Sequence, residues 1–307
     1  MLYDILIIGG GPAGVSGGIY AARKKMRAVL VTDAFGGQSF VSDDIQNWIG
    51  EISISGYDLA KKMEAHLRAQ EGIEVREGEE IVSVKKAGGT FIAETSKGAV
   101  IEAKTILLTS GSKRKKLGVP GEKELESKGV FYCSICDAPI MKDKTAAVVG
   151  GGNSALEAVV DLIPYAKKIY LLHRRDELKG DAVTQDKIKK SDKVEIIWNA
   201  ETKEIVGEKT VKGIVYEDMK TKEKRTLDVE GVFVEIGSVP SSHIIEGLVE
   251  KNKGGEVIVD HKTQRTSCEG VWAAGDVSDV LYKQNNISSG DAVKAVLNIH
   301  EYLHKKI

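Results

Sequence analysis

The stretch YDILIIGGGPAG, from Tyr3 to Gly14, decides the fold of this chain. Its first half is an apolar run typical of a strand buried on both faces, and its second half is rich in glycine. A helical stretch follows and ends in the basic residues 23–25, which suit a helix C-terminus. Residues 28–32 have the pattern of a second strand. The segment therefore predicts a βαβ unit.

Three glycines, Gly9, Gly11 and Gly14, have the spacing Gly-x-Gly-x-x-Gly at the turn between this strand and helix. Such glycines permit a tight turn and let backbone N–H groups approach a pyrophosphate at the helix N-terminus. Asp33 ends the second strand, where an acid can accept hydrogen bonds from ribose hydroxyls. We interpret the unit as a dinucleotide site; the alternative is merely a tight turn between strand and helix.

A second unit of the same kind begins at residue 146. Its predicted parts are a strand over 146–149, a glycine-rich turn over 150–155, a helix over 156–163 and a strand over 169–172. The last strand ends in His173, Arg174 and Arg175 rather than in an acid. Two guanidinium groups there match the 2′-phosphate of NADPH, which an acid would repel. The alternative is an ordinary basic strand end on the surface.

Two βαβ units predict an α/β fold with two Rossmann-like, three-layer nucleotide-binding domains. Alternating short segments predict two small antiparallel meanders, over 80–85, 91–95 and 100–102 and over 202–206, 211–217 and 225–229. Residues 111–121 and 237–243 resemble linkers. The first contains the basic run 113–116, either a solvated connection or a docking patch for an acidic partner. An amphipathic helix is expected over 290–306.

Bulk composition describes a globular protein, with 42% hydrophobic and 29% charged residues. The net charge of −1 gives no general attraction to nucleic acid or to an anionic membrane. No apolar run approaches the roughly 18 residues of a membrane span. Because the sequence starts directly in a strand-like segment and has three cysteines, we expect no signal peptide, and a cytoplasmic location.

Cys133 and Cys136 form a Cys-x-x-Cys pair followed directly by Asp137. Two cysteines at this spacing can close a small disulfide ring with a tunable reduction potential. Zinc is a competing interpretation, but structural zinc needs about four ligands, and the third cysteine, Cys268, is remote in sequence. An inert buried pair is the other alternative. Asp137 is either a proton donor and acceptor for the thiols or a helix cap.

With these motifs in place, and with Gly275-Asp276 at the end of a further strand, the chain resembles the low-molecular-weight thioredoxin reductases over essentially its full length. The likeness extends to the reductase portion of the alkyl hydroperoxide reductase flavoprotein, especially over 179–187 and 282–284. The motifs that carry the resemblance are 9–14, 36–38, 47–48, 109–111, 133–137, 150–155, 173–175 and 275–276.

The resemblance implies two cofactors, FAD and NADPH, with NADH as an alternative to the latter. The residues that would hold FAD are Gly9, Gly11, Pro12, Ala13, Gly14, Asp33, Gly37, Gln38, Asn47, Thr109, Gly111, Gly275, Asp276, Lys283 and Gln284. The residues that would hold NADPH are Gly152, Asn153, Ser154, His173, Arg174, Arg175 and Lys179. Cys136 would contact the flavin, Cys133 would attack the partner's disulfide, and Asp137 would be the acid.

The resemblance also implies a discontinuous FAD domain, over 1–112 and 244–307, with the NADPH domain and its disulfide inserted over 113–243. In the family the inserted domain rotates on its linkers, here 111–117 and 237–242, to present first the nicotinamide and then the disulfide. The expected partner is thioredoxin or a thioredoxin- or glutaredoxin-like protein, and the expected assembly is a homodimer.

Three positions depart from the family pattern, and they keep other functions open. Ala138 replaces a glycine, Lys179 replaces an arginine and so loses the bidentate fork, and Asn285 replaces a small apolar residue. The alternatives are an NADH-dependent reductase of a peroxiredoxin or glutaredoxin system, a ferredoxin- or deazaflavin-dependent flavin thioredoxin reductase, and a non-enzymatic redox sensor or zinc module. Flavin content and nucleotide preference would separate them.

Overall fold

The computed structural model describes residues 1–42 and 44–305, and the chain folds as two compact units. Unit 1 consists of Met1–Lys113 and the described residues from Val239 onward, and unit 2 consists of Arg114–Ser238. The α-helices are α1 (Pro12–Arg23), α2 (Gly56–Arg68), α3 (Ser134–Asp137), α4 (Asn153–Leu162), α5 (Ala182–Lys189) and α6 (Asn285–Lys305). Short 3₁₀ helices span Gly37–Val41, Ala138–Met141 and His243–Ile245.

The strands of unit 1 are β1 (Leu2–Gly10), β2 (Ala28–Phe35), β3 (Ile73–Glu77), β4 (Ile81–Ala87), β5 (Thr90–Thr95), β6 (Val100–Leu108) and β17 (Val271–Ala273). Those of unit 2 are β8 (Val130–Phe131), β9 (Thr145–Val149), β10 (Lys168–His173), β11 (Val194–Trp198), β12 (Ala200–Gly207), β13 (Val211–Asp218), β14 (Lys224–Asp228) and β15 (Gly231–Val234). Where the chain passes between the units, β7 (Ser112–Arg114) pairs with β16 (Ser238–Pro240).

Unit 1 is built on a sheet in the order β3-β2-β1-β6-β5-β4, with β17 beside β6. β1 runs parallel to both neighbours, with Ile7 opposite Leu30 and Leu107. These residues pack in one buried cluster with α1 and α6, while alternate residues such as Leu6 and Ile106 pack on the opposite face. Burial on both faces explains the continuous apolar character of β1.

Unit 2 contains a parallel sheet in the order β11-β10-β9-β15-β8. α4 covers one face through Leu156, Val159 and Leu162, which are spaced for one side of a helix. The antiparallel sheet β12-β13-β14 packs on the opposite face, where its apolar side chains share a second buried cluster with residues of the parallel sheet. The predicted α/β class with two Rossmann-like units is confirmed, as are both antiparallel meanders.

Several predicted boundaries were wrong, and the two largest differences are at α6 and β6. α6 begins at Asn285 rather than at residue 290, because its first turn is polar and carries no apolar period. β6 continues to Leu108, pairing first with β5 and then with β1, so the segment taken as the end of a meander is also a central strand. Lys306, the predicted end of α6, lies outside the described residues. No helix in the described part of the chain has both the length and the apolarity to cross a membrane.

Candidate nucleotide and redox sites

The first glycine-rich turn joins β1 to α1 and is closely packed. A Cβ on Gly14 would lie 1.7 Å from the carbonyl oxygen of Gly9, and a Cβ on Gly9 would lie 2.5 Å from the carbonyl oxygen of Thr109. Gly9 also has a φ of 114°, which favours glycine. Pro12 occupies the first turn of α1, where its missing N–H is not needed. The helix N-terminus is thereby fixed at the ends of parallel strands.

A cavity of about 560 Å³ opens in front of this turn, within unit 1. It brings together many of the residues expected to bind FAD, namely Gly9, Gly11, Pro12, Ala13, Asp33, Gly37, Gln38, Thr109, Gly111, Gly275 and Asp276. Gly14 supports the turn rather than lining the cavity. Asn47, Lys283 and Gln284 are not among the lining residues.

Hydrogen bonds connect several polar side chains that line this cavity. The Gln38 amide donates to the Asp276 carboxylate at 3.0 Å and to the Ser112 hydroxyl at 3.1 Å. Thr109 donates to the carbonyl oxygen of Ile8 at 2.9 Å. The network fixes Asp276 three residues after β17, and this is the acid that the sequence predicts for a ribityl hydroxyl.

The remaining expected flavin residues belong to a neighbouring network around the start of α6. Asn47 donates to Gln284 at 3.3 Å, and Asn286 donates to the carbonyl oxygen of Asn47 at 2.7 Å. Lys283 is paired with Glu256 at 2.9 Å and also donates to the carbonyl oxygen of Ser278. Its charge is therefore compensated within unit 1.

The residues present at the unit 1 site fit a flavin dinucleotide. A helix N-terminus faces the cavity and favours negative charge, as a pyrophosphate requires. Asp33, near the end of β2, and Asp276, three residues after β17, both offer carboxylates to the cavity. When bound, a flavin would supply reversible two-electron chemistry.

The second glycine-rich turn lies between β9 and α4 in unit 2. A Cβ on Gly151 would lie 2.2 Å from the His173 ring, so this histidine packs directly against the turn. His173 is 8% exposed, and its Nε2 has no hydrogen-bond partner among the described residues. Burial, together with the charges of Arg175 and Arg174, lowers the pKa of His173. The neutral ring therefore supports the turn.

The other expected nucleotide residues lie on the surface around this turn. Arg174, Arg175 and Lys179 are exposed, and the Lys179 backbone N–H donates to the carbonyl oxygen of Gly151 at 2.8 Å. Ser154 is exposed at the start of α4. Asn153, beside it, accepts a hydrogen bond from the backbone of Asp181 at 2.8 Å. Exposed guanidinium groups here are available to an anionic ligand.

Cys133 and Cys136 form a disulfide, with their Cα atoms 5.4 Å apart. Cys133 directly precedes α3 and Cys136 lies within it. This helix is tied to α4 because the Ser134 hydroxyl donates to Asp161 at 2.8 Å. Asp137 ends α3, and its side chain makes no capping hydrogen bond to the following 3₁₀ helix. Within 1–42 and 44–305, no group of three or more His, Cys, Asp or Glu side chains could hold a metal ion.

Glu235, directly after β15, was missed by sequence analysis. It is 7% exposed, and the nearest cation is the Arg114 guanidinium at 4.0 Å. Burial raises the pKa of Glu235 to about 7; Arg114 opposes the shift, while Asp161, Glu157 and Asp137 add to it. The one sequence signal was an acid immediately after the apolar strand 231–234.

This pKa predicts that Glu235→Gln stabilises the protein above neutral pH. In the unfolded chain the carboxyl ionises near 4.5, whereas in the folded chain it ionises near 7. Below pH 4.5 the carboxyl is protonated in both states, and the full stability is present. As pH rises through 7 the buried carboxyl loses its proton, and the free energy of unfolding falls. At about pH 8 we expect the variant to gain roughly 3 kcal/mol in the free energy of unfolding, and no gain at about pH 4. Urea unfolding at both pH values measures the difference, and an equal gain at both would contradict the assignment.

The fold and both sites define a class, and comparison with known proteins agrees with it. The chain belongs to the pyridine nucleotide-disulphide oxidoreductase family, which matches it over residues 3–294. Its structure is similar to that of thioredoxin reductase from Streptococcus pyogenes, with a TM-score of 0.92 and 36% identity over 99% of each chain. The resemblance noted in the sequence is thereby confirmed.

Curated relatives include longer proteins. The chain is 41% identical over 301 residues to a Bacillus subtilis protein named NADH dehydrogenase. It is 40% identical over 304 residues to a component of the alkyl hydroperoxide reductase of Escherichia coli. Each alignment covers 98% of this chain and 58% of the relative, so the chain spans a little over half the length of these relatives. Membership of the family implies binding of a flavin and a pyridine nucleotide.

Proposed function

We propose that this protein is an NADPH-dependent disulfide reductase that uses FAD and reduces thioredoxin or a thioredoxin-like protein. The observation that carries the proposal is the Cys133–Cys136 disulfide in the same unit as a second glycine-rich turn, while a separate dinucleotide cavity lies in unit 1. The net reaction is NADPH + H⁺ + protein disulfide → NADP⁺ + protein dithiol. FAD would bind to unit 1 and NADPH to unit 2.

Each residue has a role in this proposal. In unit 1, the N-terminus of α1 would hold the FAD pyrophosphate, with Asp33 and Asp276 binding hydroxyl groups. In unit 2, Cys133 would attack the partner's disulfide and Cys136 would resolve the mixed disulfide. Asp137, which follows Cys136 at the end of α3, would carry protons for these sulfurs.

Thioredoxin-like partners are supported by the surface beside the disulfide. Ile135, between the two cysteines, is 56% exposed, and Ile140 in the next turn is 42% exposed. Exposed apolar side chains beside a reactive disulfide favour docking of a small partner protein. NADPH consumption with oxidised thioredoxin tests the function: turnover dependent on thioredoxin supports it, and no turnover with thioredoxins or glutaredoxins contradicts it. Homodimerisation stays a prediction from the family.

The proposed preference for NADPH predicts a selective effect of Arg174→Ala combined with Arg175→Ala. Each charge-assisted hydrogen bond to a phosphate contributes roughly 1.5–3 kcal/mol, so the KM for NADPH should rise roughly 100-fold. The KM for NADH should stay within about twofold, since NADH lacks the 2′-phosphate. Arg225→Ala, an exposed arginine in the same unit, is the matched control. Equal increases for both nucleotides would contradict the assignment.

A second candidate is an NADH-dependent reductase of a peroxiredoxin or glutaredoxin system. Two observations favour it: the relative from Bacillus subtilis is named for NADH, and lysine occupies position 179. The kcat/KM values for the two nucleotides decide between the candidates. Failure of both nucleotides to reduce the flavin would instead favour a ferredoxin- or deazaflavin-dependent enzyme.

A further inference from the structure

Glu235 lies between the two functional features of unit 2. On one side of β15, Val234 pairs with Val149, the residue before Gly150. On the other side, Phe233 pairs with Phe131 of β8, and β8 leads into Cys133 two residues later. Neighbouring strands lie about 4.8 Å apart. The backbone N–H of Glu235 donates to the carbonyl oxygen of Val149 at 2.9 Å, so Glu235 lies beside the start of the glycine-rich turn. β8, the other neighbour of β15, leads directly to the disulfide.

Charged neighbours show which elements lie near Glu235. Its carboxyl group is influenced by Asp137, which ends α3, and by Asp161 and Glu157, which lie on α4. Cys133 precedes α3, Cys136 lies within it, and Ser134 of α3 donates to Asp161 of α4 at 2.8 Å. The buried carboxyl group therefore lies near the two elements that hold the disulfide.

The surroundings of the carboxyl group favour a bound proton. Glu235 is buried and faces three acids, Asp137, Asp161 and Glu157, and one cation, Arg114. Burial disfavours the charged form of the Glu235 carboxyl, and the neighbouring negative charges add to this effect. Its pKa of about 7 falls in the range where a proton store is useful.

We propose that Glu235 is a positioning residue that stores a proton for the Cys133–Cys136 pair and controls the ionisation of its thiols. The proposal rests on the disulfide reductase function given above. Reduction breaks the S–S bond and forms two S–H bonds, which takes two electrons and two protons. The two electrons and one proton are equivalent to the hydride that a bound reduced pyridine nucleotide would supply. The second proton comes from the Glu235 carboxyl by way of Asp137, and solvent later restores it.

Thiol alkylation tests this role without nucleotide or flavin chemistry. The full chain is reduced with a phosphine and treated with iodoacetamide across a range of pH. Mass spectrometry then measures the labelling of Cys133 and Cys136. Only the thiolate reacts, so the rate follows the thiol ionisation. Without the negative charge in Glu235→Gln, we expect the midpoint of labelling to fall by about one pH unit, with labelling about fivefold faster near pH 7.5.

Two control variants distinguish an effect of the Glu235 charge on thiol ionisation from a general structural effect of substitution. Glu230→Gln removes an exposed acid just before the same strand and should leave the profile at its wild-type position. Glu235→Asp keeps the carboxyl and should restore a profile close to wild type. Overlapping profiles for Glu235→Gln and wild type would overturn the proposal, and so would an equal shift in Glu230→Gln. Absence of turnover with both NADPH and NADH, together with a shifted profile, would refute the nicotinamide-dependent reductase function but not the control of thiol ionisation.

Discussion

Cys133→Ser is expected to lower kcat/KM for reduction of a protein disulfide by roughly 10³-fold or more, since a serine hydroxyl cannot replace a thiolate as nucleophile at neutral pH. The substitution lies at the start of α3 and changes only one atom, so the fold should persist. Flavin reduction by NADPH should also persist, because the proposed nucleotide and flavin sites do not include Cys133. Stopped-flow absorbance with NADPH, followed by steady-state turnover with thioredoxin, measures both steps.

Cys268→Ser is the matched control for this variant. Cys268 is half-buried in unit 1, and its sulfur lies 3.8 Å from the carbonyl oxygen of Glu269. We expect wild-type turnover from Cys268→Ser. Full disulfide reductase activity in Cys133→Ser would show that the Cys133–Cys136 pair is not the electron carrier.

Gly14→Ala should produce the second large effect, a loss of both bound FAD and stability. The new Cβ would lie 1.7 Å from the Gly9 carbonyl oxygen and 2.8 Å from its carbon. Both are backbone atoms of the turn, so the strain is relieved only by opening the turn that we propose holds the pyrophosphate. Overpacking of this kind costs roughly 3 kcal/mol. Thermal unfolding and the visible absorbance of bound flavin measure the two losses.

Gly11→Ala separates flavin binding from folding. Its Cβ would meet only the Gly37 Cα, at 3.8 Å, an ordinary contact, yet Gly11 lines the cavity. We therefore expect stability within about 0.5 kcal/mol of wild type and weaker FAD binding. Unchanged FAD affinity in both variants would place the flavin elsewhere.

The fold was largely predictable because its central strands carry strong local signals. β1 and β9 are apolar runs that end in glycine-rich turns, and burial on both faces is the physical cause of that pattern. The second half of β6 was missed because a single strand changes partners from antiparallel to parallel, and periodicity does not report partners. The start of α6 was missed because Asn285 and Asn286 are held by side-chain hydrogen bonds rather than by an apolar stripe.

The residues of the candidate sites also fall into two groups: those that the local sequence predicts, and those that only the tertiary structure reveals. Glycine spacing and the Cys-x-x-Cys motif are local in sequence, so the two turns and the disulfide could be expected. The role of His173 could not, since only the tertiary structure shows its ring packed against Gly151. The position of Glu235 depends on the order of strands β9, β15 and β8, which brings together segments distant in sequence.

We propose that electrons pass from NADPH through a flavin to the disulfide of unit 2. Anaerobic titration of the purified protein with NADPH, followed by rapid alkylation, measures this transfer. We expect the flavin colour to bleach and two new thiols to be labelled, at Cys133 and Cys136, in each chain. A colourless protein that takes up no FAD would contradict the claim, as would a flavin that bleaches while both cysteines stay oxidised.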